Sequence, residues 1–280
     1  MTVAILGQQD DIHVELIANQ LNDYIIIDDL ALLQDIEITH TSEQTSLEID
    51  ECSFSISSVY WRNLDIYPFS YKGSEIRDEL AYMKLFIDCF KHARWVNSPS
   101  SFFQHFLKYN QFDKVANTTT ALVPQTIITN NGQSADNFIK QHGVVAVKPV
   151  VGGDYTQKIS SFDEWSSVGQ PLIFQKFIDG QNLRTFVIGN DVFTAEMRSD
   201  LVDFRTDDNC TIVPVKLPYK QHQLALDITR TLGYEWTAID WIKADDKYYF
   251  LEANFSPMFA FFEEQTHYPI AKSLVNLLIQ

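Results

Sequence analysis

Cysteine is scarce in this chain, with only Cys52, Cys89 and Cys210 among its 280 residues. Their odd number and wide spacing argue against a disulfide framework and against a zinc site built on cysteine. Long apolar runs are missing too, because no segment approaches the roughly 20 residues that cross a membrane. The first six residues predict a strand and not a signal peptide. We therefore expect a protein of the reducing cytoplasm with no membrane partner.

Positive charge is in short supply, because 21 Lys and Arg residues face 37 Asp and Glu residues, for a net charge of −16. The imbalance is strongest in residues 1–96, where 17 acidic and 6 basic residues give −11. Residues 97–280 carry 20 acidic and 15 basic residues, which gives −5. Such a surface disfavours nonspecific binding to nucleic acid or to an anionic membrane. We therefore expect no nucleic acid partner.

A complete glycine-rich nucleotide fingerprint is also missing, although the chain begins like a dinucleotide-binding domain. An apolar run at 2–6, helical periodicity over 11–21 and a second apolar run at 24–27 predict a β-α-β unit. Gly7 stands alone and does not complete a G-x-G-x-x-G motif, so dinucleotide binding is not predicted. No Ser-His-Asp or Cys-His constellation is visible. The seven histidines show no ligand spacing and are predicted to be structural or exposed.

The remaining pattern predicts alternating helices and strands. A helix with Ser74 as N-cap and an apolar stripe ends near Ala93, and the pattern breaks before Pro99, so a domain boundary is expected near residue 97. The helix over 134–142 is predicted to have Ser134 as its N-cap. The other predicted elements are helices over 102–116, 221–232 and 269–278, strands over 144–149 and 172–178, and a hairpin of 184–188 with 192–197.

Three oxygen-bearing side chains are concentrated in one predicted hairpin. Two apolar runs, 238–243 and 247–257, flank a polar turn. Asp240 lies in the first strand, while Glu252 and Asn254 are two residues apart in the second and share a face. Buried carboxylates need a counter-charge, and all-oxygen ligands suit Mg²⁺ better than Zn²⁺. The pattern predicts a magnesium site; the alternative is a hairpin whose polar face meets only water.

The order and spacing of these segments resemble the ATP-grasp superfamily over about residues 100–280. The segments that carry the resemblance are Val147-Lys148-Pro149, Phe174-Gln175-Lys176-Phe177-Ile178, Leu183–Gly189, Asp203-Phe204-Arg205 and Phe250–Asn254. Within the superfamily the chain is most similar to the ligases that macrocyclise ribosomal peptides, the microviridin or graspetide type. This further similarity lies in Ser58–Arg62, Trp95–Pro99 and Val123–Asn130. RimK-like ligases, which join amino acids to a carboxylate, share the core and are the close alternative.

The resemblance implies an α/β (α+β) architecture, an ATP-grasp fold with an N-terminal Rossmann-like pre-ATP-grasp domain. It implies a pre-ATP-grasp domain over 1–97, a central subdomain over 98–180 and a C-terminal subdomain with the metal site over 181–280. The implied activity is that of an ADP-forming ligase, which uses ATP and Mg²⁺ to activate a carboxylate as an acylphosphate. An amine or a hydroxyl group then attacks the acylphosphate, which gives an amide or an ester.

The resemblance also implies roles for individual residues. The Mg²⁺ ligands would be Asp240, Glu252 and Asn254. The nucleotide would contact Lys108, Lys148, Gln175, Lys176, Phe177 and Ile178. The catalytic arginines would be Arg184, Arg198 and Arg205, with Arg184 and Arg205 at the transferring phosphoryl group. Arg198, Arg205 and Lys216 would steer an anionic peptide carboxylate toward ATP.

The implied partner is a precursor peptide that docks beside the hairpin at 184–197, or a small carboxylate or amine substrate. A homodimer is compatible with this interpretation. An alternative of a different class is a catalytically silent ATP-grasp-like module that only binds a peptide.

Three positions depart from the family pattern. Lys176 replaces a usual glutamate, and Asn182 replaces a usual aspartate before the hairpin arginine. Asn254-Phe255-Ser256-Pro257 replaces the usual Asn-Pro-x-Gly, which leaves the substrate class open. Simpler alternatives also stay open for single residues: Lys108 and Arg62 as surface residues, and Arg198 as part of a salt-bridged sheet face. Lys148, which precedes a proline in an apolar strand, favours a functional role.

Overall fold

In the computed structural model, the described residues are 2–28, 36–42, 45–49, 52–64, 76–105, 107–150, 156–161, 169–199, 201, 207 and 209–280. The strands are β1 (Thr2–Leu6), β2 (Tyr24–Ile27), β3 (Ile36–His40), β4 (Thr45–Ile49), β5 (Cys52–Ser53), β6 (Ile56–Trp61), β7 (Arg94–Val96), β8 (Thr126–Thr129), β9 (Val145–Pro149), β10 (Gln157–Ile159), β11 (Leu172–Lys176), β12 (Gln181–Ile188), β13 (Asp191–Arg198), β14 (Thr211–Pro214), β15 (Trp236–Ala244) and β16 (Lys247–Asn254). The helices are α1 (Ile12–Ala18), α2 (Ile76–Cys89), α3 (Pro99–His105), α4 (Lys108–Thr118), α5 (Gly132–His142), α6 (Tyr219–Leu232), α7 (Ala260–Thr266) and α8 (Ile270–Leu278). The predicted mixed α/β class is confirmed.

The chain divides into two compact units. The first comprises residues 1–99, 258–263 and 269–280, and the second comprises residues 100–257 and 264–268. The first unit therefore includes C-terminal residues that the sequence analysis grouped with the subdomain at 181–280. The predicted division into three domains stays a prediction.

The first unit is built on a parallel sheet with strand order β2-β1-β6-β7. The apolar run of β1 is buried almost throughout, as expected for a central strand of a parallel sheet. The β-α-β start is thus confirmed, and α1 begins after Asp11, whose carboxylate accepts the His13 N–H at 2.7 Å. A small antiparallel sheet, β3-β4-β5, completes the strands of this unit.

The second unit contains two antiparallel sheets with strand orders β10-β9-β11-β8 and β14-β13-β12-β15-β16. The larger sheet contains two hairpins placed side by side, because β12 pairs with β15, and β14 extends it beside β13. The turn of the predicted hairpin places Asp245 at a φ of 52°. Aspartate is one of the few residues besides glycine and asparagine that tolerate this left-handed conformation. Both predicted hairpins of this sheet are confirmed.

Three details of the predicted helices are corrected. The single helix over 102–116 is in fact α3 followed by α4, and the restart at Lys108 places that lysine in the first turn. The N-cap of α5 is Asn131, not Ser134, because the Asn131 side chain accepts the Ser134 N–H at 2.9 Å. Pro269 precedes α8 as its N-cap and is not in its first turn. The predicted N-cap Ser74 lies outside the described residues.

Candidate active site

Arg184 and Asp240 form a bidentate ion pair on neighbouring strands of the larger sheet. The guanidinium donates from Nε to Oδ1 at 2.7 Å and from Nη2 to Oδ2 at 2.9 Å. The two residues are direct register partners between β12 and β15, so the sheet itself brings them together. Their side chains are only 15% and 14% exposed, which strengthens the pairing.

Glu252 lies directly opposite Asp240 on β16 and meets two lysines from distant parts of the chain. Lys148 Nζ of β9 lies 3.2 Å from Glu252 Oε2 and donates to it. Lys108 Nζ, from the first residue of α4, lies 3.6 Å from the same oxygen. With β12 and β15, which carry Arg184 and Asp240, five different elements thus contribute to one small region.

Asn254 completes the set that the hairpin was predicted to bring together. Its Nδ2 donates to Asp240 Oδ2 at 3.2 Å, so the amide orientation leaves Oδ1 as its ligand atom. A register irregularity after Asp240 changes the pairing of β15 with β16 at this point. We call Arg184, Asp240, Glu252, Asn254, Lys148 and Lys108 the central cluster. The predicted convergence of the three oxygen-bearing side chains is found; their role as metal ligands stays a prediction.

Lys108 is not a surface residue, since it is only 4% exposed. Burial lowers its pKa, and the nearby Lys148 charge lowers it further, whereas Glu252 and Asp240 act in the opposite direction. Among the described side chains of the central cluster, three cations face two carboxylates. The site therefore has an excess of positive charge and suits an anion such as a polyphosphate.

The segment predicted to contact adenine is ordered by its own backbone. Lys176 N–H donates to the Gln125 carbonyl at 2.8 Å, and Phe177 N–H donates to the Val144 carbonyl at 3.1 Å. Among the described residues, no acceptor is found for the Ile178 N–H.

Side chains along this segment differ in exposure. Gln175 is buried and donates to Thr126 Oγ1 at 3.0 Å, whereas Lys176 is exposed. Because Gln175 opposes Ala146 and Lys148 lies two residues further along β9, Gln175 and Lys148 share a face of the sheet.

The predicted catalytic arginines do not all meet at the central cluster. Arg198 is 59% exposed and pairs with Glu196 at 3.0 Å. Ala195 is the register partner of Arg184, so Arg198, three residues later, lies on the opposite face of the sheet. Arg205 lies outside the described residues. The catalytic roles of both arginines stay predictions.

Two residues near the site were not singled out by the sequence analysis. Gln111 of α4 exchanges hydrogen bonds with the backbone of Ala253, between Glu252 and Asn254. Lys158 Nζ lies 4.2 Å from the centre of the Phe177 ring and forms a cation–π contact. For Gln111, the sequence contained one usable signal. It lies three residues after Lys108, and in a helix this spacing places both side chains on one face.

A second, partly buried polar group lies in the first unit, after the ends of β1 and β6. We call Asp11, His13, Arg62 and Asn63 the N-terminal cluster. His13 Nδ1 lies 2.7 Å from Asp11 Oδ1 and 3.2 Å from Arg62 Nη2. The shorter contact with a carboxylate, which only accepts, favours the tautomer that carries the proton on Nδ1. Arg62 Nη2 lies 3.2 Å from Asp11 Oδ2, and Asn63 donates to that oxygen at 2.9 Å. Arg62 is therefore largely buried and paired with Asp11, which excludes the interpretation as a surface arginine.

Burial within the N-terminal cluster affects the pKa of both titratable side chains. Burial lowers the pKa of His13, and the Arg62 charge lowers it further, although Asp11 opposes both effects. For Asp11, burial alone would raise the pKa, but Arg62 and the hydrogen bonds from His13 outweigh it and lower the pKa. The cluster thus favours an ionised Asp11 beside a neutral His13.

Two absences can be stated for the described residues. No three His, Cys, Asp or Glu side chains among them form a metal cluster, so the central cluster offers two carboxylates and one amide. Within the same part of the chain, no helix has both the length and the apolar character needed to cross a membrane.

Solved structures with the same fold were found over nearly the whole chain. The ATP-grasp ligase PsnB complexed with minimal precursor matches with a TM-score of 0.82 at 22% identity, covering 99% of this chain and 97% of that one. The macrocyclase MdnC bound with precursor peptide MdnA, from Microcystis aeruginosa, matches with a TM-score of 0.82 at 19% identity over 100% of both chains. A RiPP-associated ATP-grasp ligase from Chryseobacterium gregarium matches with a TM-score of 0.78 at 24% identity, covering 99% and 96%. At these identities the likeness establishes the fold.

Curated relatives match a smaller part of the chain. A "Probable alpha-L-glutamate ligase" from Parasynechococcus marenigrum is 33% identical over 133 residues, which cover 45% of this chain and 28% of the relative. A protein of the same name from Histophilus somni is 26% identical over 140 residues, covering 48% and 47%. The chain thus spans less than half the length of these relatives.

The family model of the RimK-like ATP-grasp domain matches residues 114–278, which is more than half of the chain. This range includes β9, β11 and the larger sheet, and with them every described member of the central cluster except Lys108. The predicted ATP-grasp fold is therefore confirmed, and the chain belongs to the RimK-like ATP-grasp family.

Proposed function

We propose that this protein is an ADP-forming ligase that activates a carboxylate with ATP and joins it to an amine or an alcohol. The observation that carries the proposal is the central cluster, in which Arg184, the buried Lys108 and the partly buried Lys148 surround a pair of carboxylates. A carboxylate is a poor electrophile because its leaving group would be oxide. Conversion to an acylphosphate replaces oxide by phosphate, and the ATP-grasp fold provides a site for that conversion.

The donor set of the central cluster fits Mg²⁺. Asp240 and Glu252 present carboxylate oxygens from adjacent strands, and Asn254 presents its amide oxygen. Oxygen ligands of this kind suit Mg²⁺, which is bound through a few carboxylates together with substrate phosphates. When bound, Mg²⁺ neutralises phosphate charge and helps to position the triphosphate.

The cations of the site bind and orient the phosphates. Lys148 and Lys108 contact the triphosphate, whose negative charge also favours the protonated form of the buried Lys108. Arg184 stabilises the transferring γ-phosphoryl group, with Arg205 proposed for the same role. The substrate carboxylate oxygen forms a bond to the γ-phosphorus while the bond to ADP breaks. The nucleophile then attacks the acyl carbon, loses its proton and releases phosphate.

Adenine is proposed to bind along residues 175–178 through backbone atoms. The Ile178 N–H is a donor with no described acceptor, which supports this placement. Because backbone atoms make the contact, the exposed Lys176 can replace the usual glutamate without loss of nucleotide binding.

A peptide is the proposed substrate. The ligases PsnB and MdnC, which share the fold, have structures with precursor peptides. A cavity of about 490 Å³ lies beside the β12–β13 hairpin and is a candidate groove for part of such a peptide. Its lining includes Val192, Thr194, Lys216, His222 and Tyr268. Lys216 was one of the three basic residues predicted to steer an anionic segment.

A RimK-like amino-acid ligase is the second candidate, favoured by the matching family model and by the relatives named as glutamate ligases. A silent peptide-binding module is the third. It is disfavoured by the central cluster, because a protein without turnover has little use for costly buried charges.

The experiment compares ADP release with Mg²⁺, ATP and one acceptor at a time. One panel contains peptides with Thr, Ser, Asp, Glu and Lys, and the other contains free glutamate and other amino acids. The proposal expects peptide-dependent ADP release with loss of water from the peptide mass. Glu252→Gln is the inactive control. Faster turnover with a free amino acid would favour the RimK-like candidate, and ATP binding without turnover in both panels would favour the silent module.

We extend the proposal to organisation and location. Residues 98–180 and 181–280 act as the two ATP-grasp subdomains around the nucleotide, with residues 1–97 as the pre-ATP-grasp domain. The cytoplasm, which supplies ATP, is the proposed location. The homodimer stays a prediction that sedimentation of the purified chain can test.

A further inference from the structure

β16 is an edge strand of its sheet, where Phe250 N–H donates to the Leu122 carbonyl at 2.8 Å. At Ala253, one buried side chain supplies the hydrogen bonds that a neighbouring strand would otherwise make. Ala253 N–H donates to Gln111 Oε1 at 3.0 Å, and Gln111 Nε2 donates to the Ala253 carbonyl at 3.0 Å. Gln111 is 2% exposed and Ala253 is fully buried. The amide thus pairs with the backbone as a strand residue does.

The orientation of the Gln111 amide is determined by its partners. Besides the reciprocal pair with Ala253, Nε2 also donates to the hydroxyl oxygen of the buried Tyr234 at 3.3 Å. Burial raises the pKa of Tyr234, so the phenol stays neutral and accepts this bond. The amide oxygen and both amide hydrogens therefore have partners, which holds the side chain in one position.

Ala253 lies between two members of the central cluster. Its backbone connects Glu252 and Asn254, so a hydrogen-bonded anchor at Ala253 restricts where both neighbouring side chains point. The same helix face of α4 carries Lys108, three residues earlier, whose Nζ lies 3.6 Å from Glu252. One helix therefore positions the backbone at Ala253 and also supplies a cation to the adjacent carboxylate.

We propose that Gln111 is a positioning residue for the metal ligands Glu252 and Asn254, which it orients through the backbone of Ala253. This inference rests on the proposed function. Partners that orient metal ligands from outside the coordination shell affect metal affinity about tenfold to a hundredfold. The structural alternative is that Gln111 only satisfies two buried backbone groups, in which case its loss lowers stability and leaves metal affinity unchanged.

The test measures Mn²⁺ binding to the complex with ADP by electron paramagnetic resonance, with no acceptor present and therefore no turnover. Gln111→Met keeps the side-chain length and removes its hydrogen bonds. The matched control is Gln221→Met, the same substitution at a buried glutamine of α6 that is 8% exposed. Titrations are run well below the unfolding temperature of each variant, so a loss of stability alone does not change the result.

We expect Gln111→Met to weaken Mn²⁺ binding about tenfold or more while Gln221→Met matches the wild type. If Gln111→Met does not fold, Gln111→Leu replaces it, because leucine also fills a buried position and neither donates nor accepts a hydrogen bond. The same weakening is expected.

Wild-type Mn²⁺ affinity in a folded Gln111 variant would overturn the positioning role. If Glu252→Gln still weakens Mn²⁺ binding in that case, only the positioning role of Gln111 is rejected and the proposed function is retained. Absence of Mn²⁺ binding by the wild-type ADP complex would instead overturn the proposed function, and the positioning role with it.

Discussion

The two charge clusters, both partly buried, lie in different units of the chain and differ in how their charges balance. In the N-terminal cluster the carboxylate of Asp11 faces the guanidinium of Arg62, and the adjacent His13 is kept neutral. In the described part of the central cluster, three cations face two carboxylates. The first cluster is neutral within itself, whereas the second retains a positive charge that burial makes costly.

This difference supports the proposal that the central cluster binds a ligand and that the N-terminal cluster has a structural role. Unbalanced buried charge is unfavourable unless a ligand compensates it, so the central cluster is suited to an anion. The N-terminal cluster needs no ligand, because each of its charges has a partner in the same unit. Substitutions in the central cluster should therefore affect nucleotide binding and turnover, whereas substitutions in the N-terminal cluster should affect the free energy of unfolding.

The largest effect is expected from the carboxylates of the central cluster. Asp240→Asn and Glu252→Gln should each lower kcat for ADP release about a hundredfold or more, because each removes a proposed ligand of the Mg²⁺ that offsets charge at the phosphoryl group. Circular dichroism checks that the fold persists. Turnover of Glu252→Gln near the wild-type rate would remove that residue from the proposed site.

Arg62→Met should change stability and leave nucleotide affinity unchanged. Removal of the guanidinium leaves the buried Asp11 carboxylate without its cation, at a cost of about 2 kcal/mol in the free energy of unfolding. Urea denaturation measures that cost, and calorimetry measures ATP affinity on the same preparation. Weakened ATP binding by Arg62→Met would contradict the distinction between the two clusters.

Lys148→Ala should lower ATP affinity about tenfold, since it removes one charge-assisted contact to the phosphates. In contrast to Arg62→Met, its main effect is expected on nucleotide binding and not on the free energy of unfolding. Lys140→Ala is a suitable control, because that lysine is 72% exposed and pairs with Asp136 on α5. Calorimetry that finds equal ATP affinity in both variants would refute the role of Lys148.

Arg198→Ala should lower turnover with peptide severalfold and leave ATP affinity unchanged. The side chain is exposed and lies on the sheet face opposite Arg184, so electrostatic guidance of an anionic peptide is its proposed contribution. The difference from wild type should shrink as salt is added. Peptide turnover equal to wild type at low salt would exclude this contribution.

The smallest effect is expected at His13 and depends on pH. Its folded-state pKa is lowered, so the unfolded state takes up the proton first, near its usual value of about 6.5. The stability it contributes is present above that pH and is lost as the pH falls through it. His13→Gln should flatten the decrease in the free energy of unfolding between pH 7.5 and 5.5, by comparison with wild type. Parallel curves would show that His13 does not titrate in this way.

Much of the candidate site was predictable because it depends on local pattern. The alternation of β15 and β16 and the short turn at Asp245 place Asp240 opposite Glu252 through hairpin register alone. The ATP-grasp fold followed from the order of several short segments. The break between α3 and α4 was not predictable, because no Gly or Pro marks it in the sequence. Nor does any local pattern predict that Lys108 contacts Glu252 far away in the chain.

The sequence by itself determined the chemistry of the hairpin, since residue alternation and turn length place Asp240, Glu252 and Asn254 on adjacent strands. Only the tertiary structure decided their counter-charges. Lys148 is 104 residues from Glu252 in sequence, and no local periodicity predicts that contact. The same holds for Gln111, whose partner Ala253 is 142 residues away. Contacts of this length depend on the packing of separate elements against a sheet edge, and that packing follows from burial over the whole unit.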